Sequence, residues 1–177
     1  MEEPDLLQEK VKSFNVREIQ LKEAKSFVER WHYSSSVNGV KVSHVFGLFF
    51  DGTLIGVMIY GPLAMANTWK KYSDSESKVV ELRRLCCIDK TPRNTESYFI
   101  GKTIKYLKKN TNYEVIVSYA DPFHGHSGII YRASNFEYGG LTQKGRVIKW
   151  GDKLYHDKAI RCYYVKGGGK GVKTLCC

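Results

Sequence analysis

Two apolar runs, Val45-Phe46-Gly47-Leu48-Phe49-Phe50 and Thr53-Leu54-Ile55-Gly56-Val57-Met58-Ile59-Tyr60, are separated only by Asp51-Gly52. Asp-Gly tolerates the positive φ angles that a two-residue turn between twisted strands needs, so residues 45–60 read as a β-hairpin. Ahead of it, Leu21, Ala24, Phe27, Val28 and Trp31 recur at helical spacing among charged residues, giving an amphipathic helix that ends near His32. Residues 66–78 are polar and read as an exposed loop. Residues 79–88 read as a strand with Glu81 and Arg83 on one face, Leu82 and Arg84 on the other. A second helix, entered at Asn94 or Thr95, has Phe99, Ile100, Thr103, Ile104 and Leu107 as its apolar stripe and Lys102, Lys105, Lys108 and Lys109 as its wet face.

The near-continuous apolar character of residues 113–120 predicts a strand in a central position, covered on both faces. A short helix is expected from His126-Ser127 to the Asn135-Phe136 turn. Residues 146–150 and 153–156 flank Gly151-Asp152 as another hairpin, residues 160–166 read as a last strand, and the glycine-rich stretch after them as a flexible tail. This order of elements implies an α/β (α+β) chain, a mixed twisted sheet with helices on both faces. One domain over residues 1–166 and a tail over 167–177 are expected.

No apolar run approaches about 18 residues, so no membrane span is expected. The acidic start, Met-Glu-Glu-Pro-Asp, does not resemble a secretory signal, and a cytoplasmic protein is expected. The five cysteines fall as Cys86-Cys87, Cys162 and Cys176-Cys177, a pattern that suits neither a disulfide framework nor a zinc cluster. Charge is more informative. The net charge is +10, and residues 141–177 alone hold nine Lys and Arg against Asp152 and Asp157, a balance of +7. A basic half of this kind implies a polyanionic partner, most commonly nucleic acid.

The apolar strand at 113–117 runs directly into Ser118, Tyr119, Asp121, Pro122, Phe123, His124 and His126. Ligands of open α/β sheets sit beyond the carboxyl ends of strands, so this crowding of titratable and aromatic groups marks a site. Asp121-Pro122-Phe123 resembles, with one proline missing, the element by which adenine-N6 methylating enzymes accept from the amine and stack on the extruded base. Asp121 as a turn-former before proline is the structural alternative. Asp121, His124 and His126 also make a candidate two-imidazole, one-carboxylate set for iron or another metal, against helix capping and backbone hydrogen bonding by the histidines. His32 and Tyr33 lie off the apolar stripe at a helix end, where a histidine suits general-base work or, equally, capping.

Together, WHYSSS, FGLFFDGTLIGVMIYG, VVELRRLCC and VIVSYADPFHGHSGIIYRASNFEYGG resemble, in order and over about residues 14–150, the Mom family of bacteriophage DNA-modification proteins, a divergent branch of the GNAT N-acetyltransferase superfamily. The resemblance implies a single GNAT-like domain that transfers an acetamido (carbamoylmethyl) group to the N6 amine of adenine in double-stranded DNA. This would shield phage DNA from restriction within the infected bacterial host. It implies site residues at His32, Tyr33, Arg83, Asp121 and Tyr131, with Glu81, Ser118, His126 and Asn135 nearby. Read from their chemistry, Asp121, Tyr131, His32 and Tyr33 are expected to be catalytic, and Arg83, Glu81, Lys90, Arg93 and Ser97 to contact the donor or a phosphate. Ser118, Tyr119, Phe123, His126 and Asn135 are expected to contact the base, and Lys144, Arg146 and Lys149 the DNA backbone. Acetyl-CoA, another acyl-CoA or a different activated donor is the implied cosubstrate. Residues 89–97 depart from the superfamily's pyrophosphate loop because they contain no glycine. The product's new bond is to a methylene carbon, which plain acyl transfer does not make. A metal, another donor or a rearrangement is therefore required.

Two other functions fit the same residues: a conventional GNAT acyltransferase using acetyl-CoA on a small amine or protein, and a DNA-binding accessory without catalysis. The charge distribution yields a test. DNA affinity should be largely sequence-independent and should fall steeply between about 50 and 200 mM salt. Replacing Lys144, Arg146 and Lys149 together should weaken binding while leaving thermal unfolding unchanged, because exposed charges contribute little to stability. Salt-independent binding would refute the basic-face assignment.

Overall fold

The backbone is left-handed at both turn positions, φ 44° at Asp51 and 77° at Gly52, as a two-residue connection between right-twisted strands requires. The computed structural model describes residues 4–32, 36–120, 127–142, 147–150 and 153–156. The turn joins β2 (His44–Phe50) to β3 (Thr53–Gly61), and these pair antiparallel. Strand β1 (Asn15–Glu18) adds antiparallel to β2, and β4 (Val79–Cys87) antiparallel to β3. Strand β5 (Val115–Ser118) lies parallel to β4, which requires a crossover, supplied by helix α2 (Thr95–Asn110). The sheet order is β1-β2-β3-β4-β5.

Helix α1 (Leu21–Trp31) begins with a capping box, in which the Gln20 side chain accepts from the Glu23 amide and Glu23 accepts from the Gln20 amide at 2.9 Å. It buries Ala24, Phe27 and Val28 and packs across β2, β3 and β4. Helix α2 covers the other face. Its Thr103 reaches Tyr60 at 2.8 Å and the Met58 sulfur at 3.2 Å, while Phe99, Ile100 and Leu107 complete the buried stripe expected for it. Between the helices Phe46, Leu48, Ile55, Met58, Ile59 and Tyr60 are at most 1% exposed. Burial of this extent, at about 25 cal/mol per Å² of apolar area, is what holds the two helices on the sheet.

Four features differ from the sequence reading. Strand β1 was not foreseen, because its pattern of exposed, half-buried, exposed, exposed residues carries no apolar alternation. Strand β5 was expected in a central position; among the described residues its only partner is β4, and of its residues only Val117 is buried. Leu82 and Arg84 do not share a face. Tyr60 is opposite Leu82 and Ile59 is opposite Arg84, so Arg83 is an extra residue and the alternation breaks there. Finally, the 66–78 segment is not structureless but contains 3-10 turns at Thr68–Lys71 and Glu76–Lys78.

The chain divides into two units, Met1–Glu137 with this sheet and Tyr138–Cys177. Within the second, β6 (Val147–Trp150) and β7 (Lys153–His156) form the antiparallel hairpin expected around Gly151-Asp152. The expected strand at 160–166 and tail at 167–177 lie outside the described residues. No helix among the described residues is long and apolar enough to cross a membrane.

Two glycines separate close approach from helix propensity. A Cβ on Gly61 would collide with the Lys41 carbonyl and press the Arg83 side chain, whereas one on Gly101, inside α2, meets nothing within 4 Å. Gly61→Ala should lower stability by about 1–3 kcal/mol, and Gly101→Ala should raise it by about 0.5–1 kcal/mol. Denaturant unfolding of the two variants measures both, and an unaltered Gly61→Ala midpoint would contradict the packing at the end of β3.

Candidate functional site

The parallel pair β4–β5 is short. It runs from Val79 opposite Val115 to Leu82 opposite Ser118, while β4 continues to Cys87 bonded only to β3 among the described residues. The Ser118 hydroxyl donates to the Leu82 carbonyl at 3.4 Å, the last link before the strands part. The extra residue Arg83 follows immediately. A bulge bends and twists its strand, so the fork opens where β4 bends away. It lies at the carboxyl ends of two parallel strands, the position from which such sheets present their ligand groups.

Glu81 and Arg83 line the root of the fork. Glu81 is 7% exposed, and its Oε2 accepts the Ala64 amide at 2.8 Å and lies 3.9 Å from Arg83 Nη1. Arg83 Nη1 itself donates to the Pro62 carbonyl at 2.8 Å, and Arg84 Nη1 donates to the Arg83 carbonyl at 2.7 Å. The Nε groups of both arginines are buried and, among the described residues, have no hydrogen-bond partner. Glu81 thus anchors the chain after β3 and balances Arg83 with one carboxylate.

Tyr119 stands on the rim, half-exposed. Desolvation, a hydrogen bond with Tyr72 and the nearby Glu81 charge push its phenol up to about 12. It therefore stays protonated at physiological pH and acts as a hydrogen-bond donor, not as a base. Tyr72 was missed by the sequence reading because it sits in the polar 66–78 segment. The available signal was the pair of aromatics, Trp69 and Tyr72, in a stretch that a plain solvated loop would not need.

Helix α3 (Ile129–Ala133) carries Tyr131, whose ring packs against Phe136 at 5.6 Å. Tyr131 also lies close enough to the buried Tyr60 to add to the rise of that phenol's pKa, which burial dominates. Thr103 donates to the Ile100 carbonyl at 2.9 Å, so Tyr60 donates to Thr103 and its own oxygen remains an acceptor. Asn135 is exposed and left-handed, φ 61°, directly after α3. Its placement explains the end of the helix.

His32 caps the end of α1 and is 6% exposed, its amide donating to the Val28 carbonyl at 3.0 Å. Burial there was not foreseen from its position off the apolar stripe. Tyr33, Asp121, Phe123, His124, His126, Lys144 and Arg146 lie outside the described residues, and Lys149 falls in β6. Among the described residues no group of three His, Cys, Asp or Glu could hold a metal ion.

Beyond Leu82, β4 has no β5 partner among the described residues, and α2 begins shortly after it. At the start of α2, Thr95 and Ser97 turn their hydroxyls onto the Pro92 and Asn94 carbonyls at 2.7 and 3.0 Å. Those hydroxyls are committed to the cap. Lys90 and Arg93 are exposed beside the helix start. The Cys86 thiol is pushed up to about 12 and that of Cys87 is also raised, in each case chiefly by burial, so neither is a ready nucleophile.

Glu81 offers a direct test of the fork. Glu81→Ala removes the acceptor of the part-buried Ala64 amide and the carboxylate beside Arg83 and should cost about 1–3 kcal/mol. Glu81→Gln, which keeps an acceptor for Ala64, should recover most of that loss. Equal destabilisation by both, read from thermal unfolding, would show that the hydrogen bond is not what matters.

The profile of the Mom protein family matches residues 13–173. The chain is 27% identical over 152 residues to the methylcarbamoylase mom of Escherichia phage Mu, covering 84% of this chain and 62% of that protein's length. It therefore spans less than two thirds of that relative. Among solved structures, an aminoglycoside acetyltransferase from an uncultured soil metagenomic sample superposes with a TM-score of 0.54 at 10% identity, over 78% of this chain and 98% of the other. A possible acetyltransferase from Clostridium difficile 630 gives 0.54 at 10% identity, over 77% and 99%. The aminoglycoside N-acetyltransferase AAC(6')-Iy, solved in complex with CoA, gives 0.54 at 17% identity, over 75% and 93%. These likenesses show an acetyltransferase-type GNAT fold, and the match across residues 13–173 places the chain in the Mom protein family.

Proposed function

We infer that this protein modifies adenine in double-stranded DNA, placing an acetamido (carbamoylmethyl) group on the N6 amine and so protecting phage DNA from restriction in the bacterial host. The observation that carries the reading is the fork between β4 and β5, with buried Glu81 and Arg83 at its root, in a chain of the Mom family. The printed name of the phage Mu relative, a methylcarbamoylase, supports the same chemistry.

Adenine N6 is a weak nucleophile because its lone pair is delocalised into the ring, and extruding the base costs a few kcal/mol. The enzyme must therefore orient the amine, remove a proton and hold the base out of the stack. Asp121, three residues beyond the end of β5, accepts from N6 and takes its proton as the bond to the methylene carbon forms. Phe123 or Tyr119 stacks on the extruded base, with Ser118, His126 and Asn135 close by. Tyr119, protonated up to about pH 12, can also donate to the ring's acceptors without competing for the proton. Tyr131 or Tyr33 donates to charge developing on the leaving group. His32, being buried, positions this end of α1. Arg83 binds the donor's anionic portion, held in place by Glu81 and the Pro62 carbonyl. Lys90 and Arg93, with Ser97 shaping the helix start, meet its phosphates. When bound, an activated donor whose methylene carbon carries a leaving group would supply the electrophilic carbon, whereas an acyl-CoA reacting at its carbonyl would give an N-acyl adenine instead. Lys144, Arg146 and Lys149 grip the DNA backbone.

Mass spectrometry of nucleosides from DNA co-expressed with the protein in bacteria tests the reading. A new deoxyadenosine species carrying the added group is expected. Asp121→Asn keeps the turn-forming shape but loses the basic carboxylate, so it should fold, bind DNA and modify it at least about a hundredfold more slowly. Unmodified DNA with folded wild-type protein, or acetyl transfer from acetyl-CoA to small amines instead, would overturn the reading. Near-normal modification by Asp121→Asn would overturn the role of the carboxylate.

A further inference from the structure

At the opposite edge of the sheet from the fork lies a groove of about 710 Å³, formed where the chain entering β1 passes α2. Three cations line it, Lys12, Arg17 and Lys102, against one carboxylate, Glu18. That carboxylate is already committed. Its Oε1 is 2.7 Å from His44 Nδ1, and its Oε2 accepts the Tyr106 hydroxyl at 2.8 Å. Arg17 is likewise engaged, its guanidinium 3.9 Å from Glu23 Oε1 and 4.2 Å over the Phe49 ring, so the cations the groove offers a ligand are Lys12 and Lys102.

Its aromatic wall is fixed in advance. Tyr98, Lys102 and Tyr106 follow at four-residue spacing along α2, so they form one stripe on the helix. Tyr98 donates to the Phe14 carbonyl at 3.1 Å, and the Lys102 ammonium lies 5.2 Å from the centre of its ring. Tyr106 packs edge-on against Phe46 at 5.1 Å and keeps 37% exposure. Rings held by their hydroxyls lose little freedom on binding, and aromatic faces interleaved with cations are how proteins hold unpaired nucleotides.

We propose that this groove is a nucleotide-binding site, taking a phosphate between Lys12 and Lys102 and a base against the Tyr98–Tyr106 stripe. The nucleotide belongs either to an unpaired DNA strand or to a free mononucleotide. The strand assignment rests on the DNA-modifying function inferred above. Four strand spacings of about 4.8 Å separate the sheet edges, about 19 Å in all, or five to six nucleotides at about 3.4 Å each. One strand can therefore engage the fork and the groove together, which would hold the duplex open while a base is out of the stack.

The test measures binding of a short fluorescent single-stranded oligonucleotide to the full chain at about 100 mM salt. Lys12→Glu with Lys102→Glu should weaken binding about tenfold, whereas Lys108→Glu with Lys109→Glu, the same charge change on α2 outside the groove, should weaken it less than about threefold. Tyr106→Leu should weaken it about fivefold or more through lost stacking. Equal losses from the two charge pairs, with no effect of Tyr106→Leu, would overturn the site. Protection of Lys102 from chemical acetylation separates the sources. Protection by the oligonucleotide supports a strand site, protection by AMP alone assigns the groove to a free nucleotide, and protection by neither overturns it. Unmodified DNA in co-expressing cells alongside groove-dependent binding would sink the proposed function and leave the groove standing. Modified DNA with groove-independent binding would do the reverse.

Discussion

The single extra residue in β4 governs the candidate site. Arg83 shifts the β3–β4 register directly after Leu82, the residue at which the β4–β5 pairing ends. The strand bends, the parallel ladder stops at Ser118, and the backbone from Arg83 to Cys87 is left for something other than β5 to meet. The same insertion brings Arg83 to the side of Glu81 and the Pro62 carbonyl. One local irregularity thus creates both the opening and the charge at its root.

That arrangement is held against an energetic cost. Two guanidinium Nε groups are buried and, among the described residues, unpartnered; each such group is worth about 1–3 kcal/mol of lost stability. A water or a ligand reaching the root of the fork would satisfy them. The core can bear the expense. Strands and two helices enclose a set of fully buried apolar side chains, and the buried hydroxyl of Tyr60 is satisfied through Thr103. Stability is concentrated away from the fork, in β2, β3 and the helices that cover them.

The parts legible in the sequence were those written in short-range chemistry. Asp51-Gly52 fixed the hairpin, and the 3.6-residue stripes of α1 and α2 marked their buried faces correctly at Ala24, Phe27, Val28, Phe99, Ile100, Thr103 and Leu107. What stayed hidden depends on pairing across the chain. A bulge is a relation between two strands, so Val79 to Cys87 read as ordinary alternation. Strand β1 consists of Asn15-Val16-Arg17-Glu18, with no apolar alternation to show that β2 would claim it. Apolar content does not say which strands pair, so the single partner that β5 has among the described residues, β4, was not foreseen. At the site, Glu81, Arg83 and Tyr119 were visible as chemistry, but Tyr72 becomes relevant only once the 66–78 segment is folded back to Tyr119.

The proton inventory of the fork narrows how transfer can proceed under the proposed function. A covalent relay through a cysteine needs a thiolate, yet burial raises Cys86 to about 12 and raises Cys87 as well. At physiological pH both are thiols, and a thiol is a poor nucleophile. Tyr119 is likewise held as a neutral donor. Among the described residues the fork therefore offers arginines and hydrogen-bond donors, groups suited to binding anions and stabilising developing negative charge, and no thiolate. In the proposed reaction the attacking group is the substrate's own. That matches an amine acting directly on a donor bound in the same fork, with deprotonation assigned to a carboxylate beyond β5. It also explains why the surrounding machinery invests in orientation: a substrate nucleophile as weak as adenine N6 gains most from being fixed in place before it reacts.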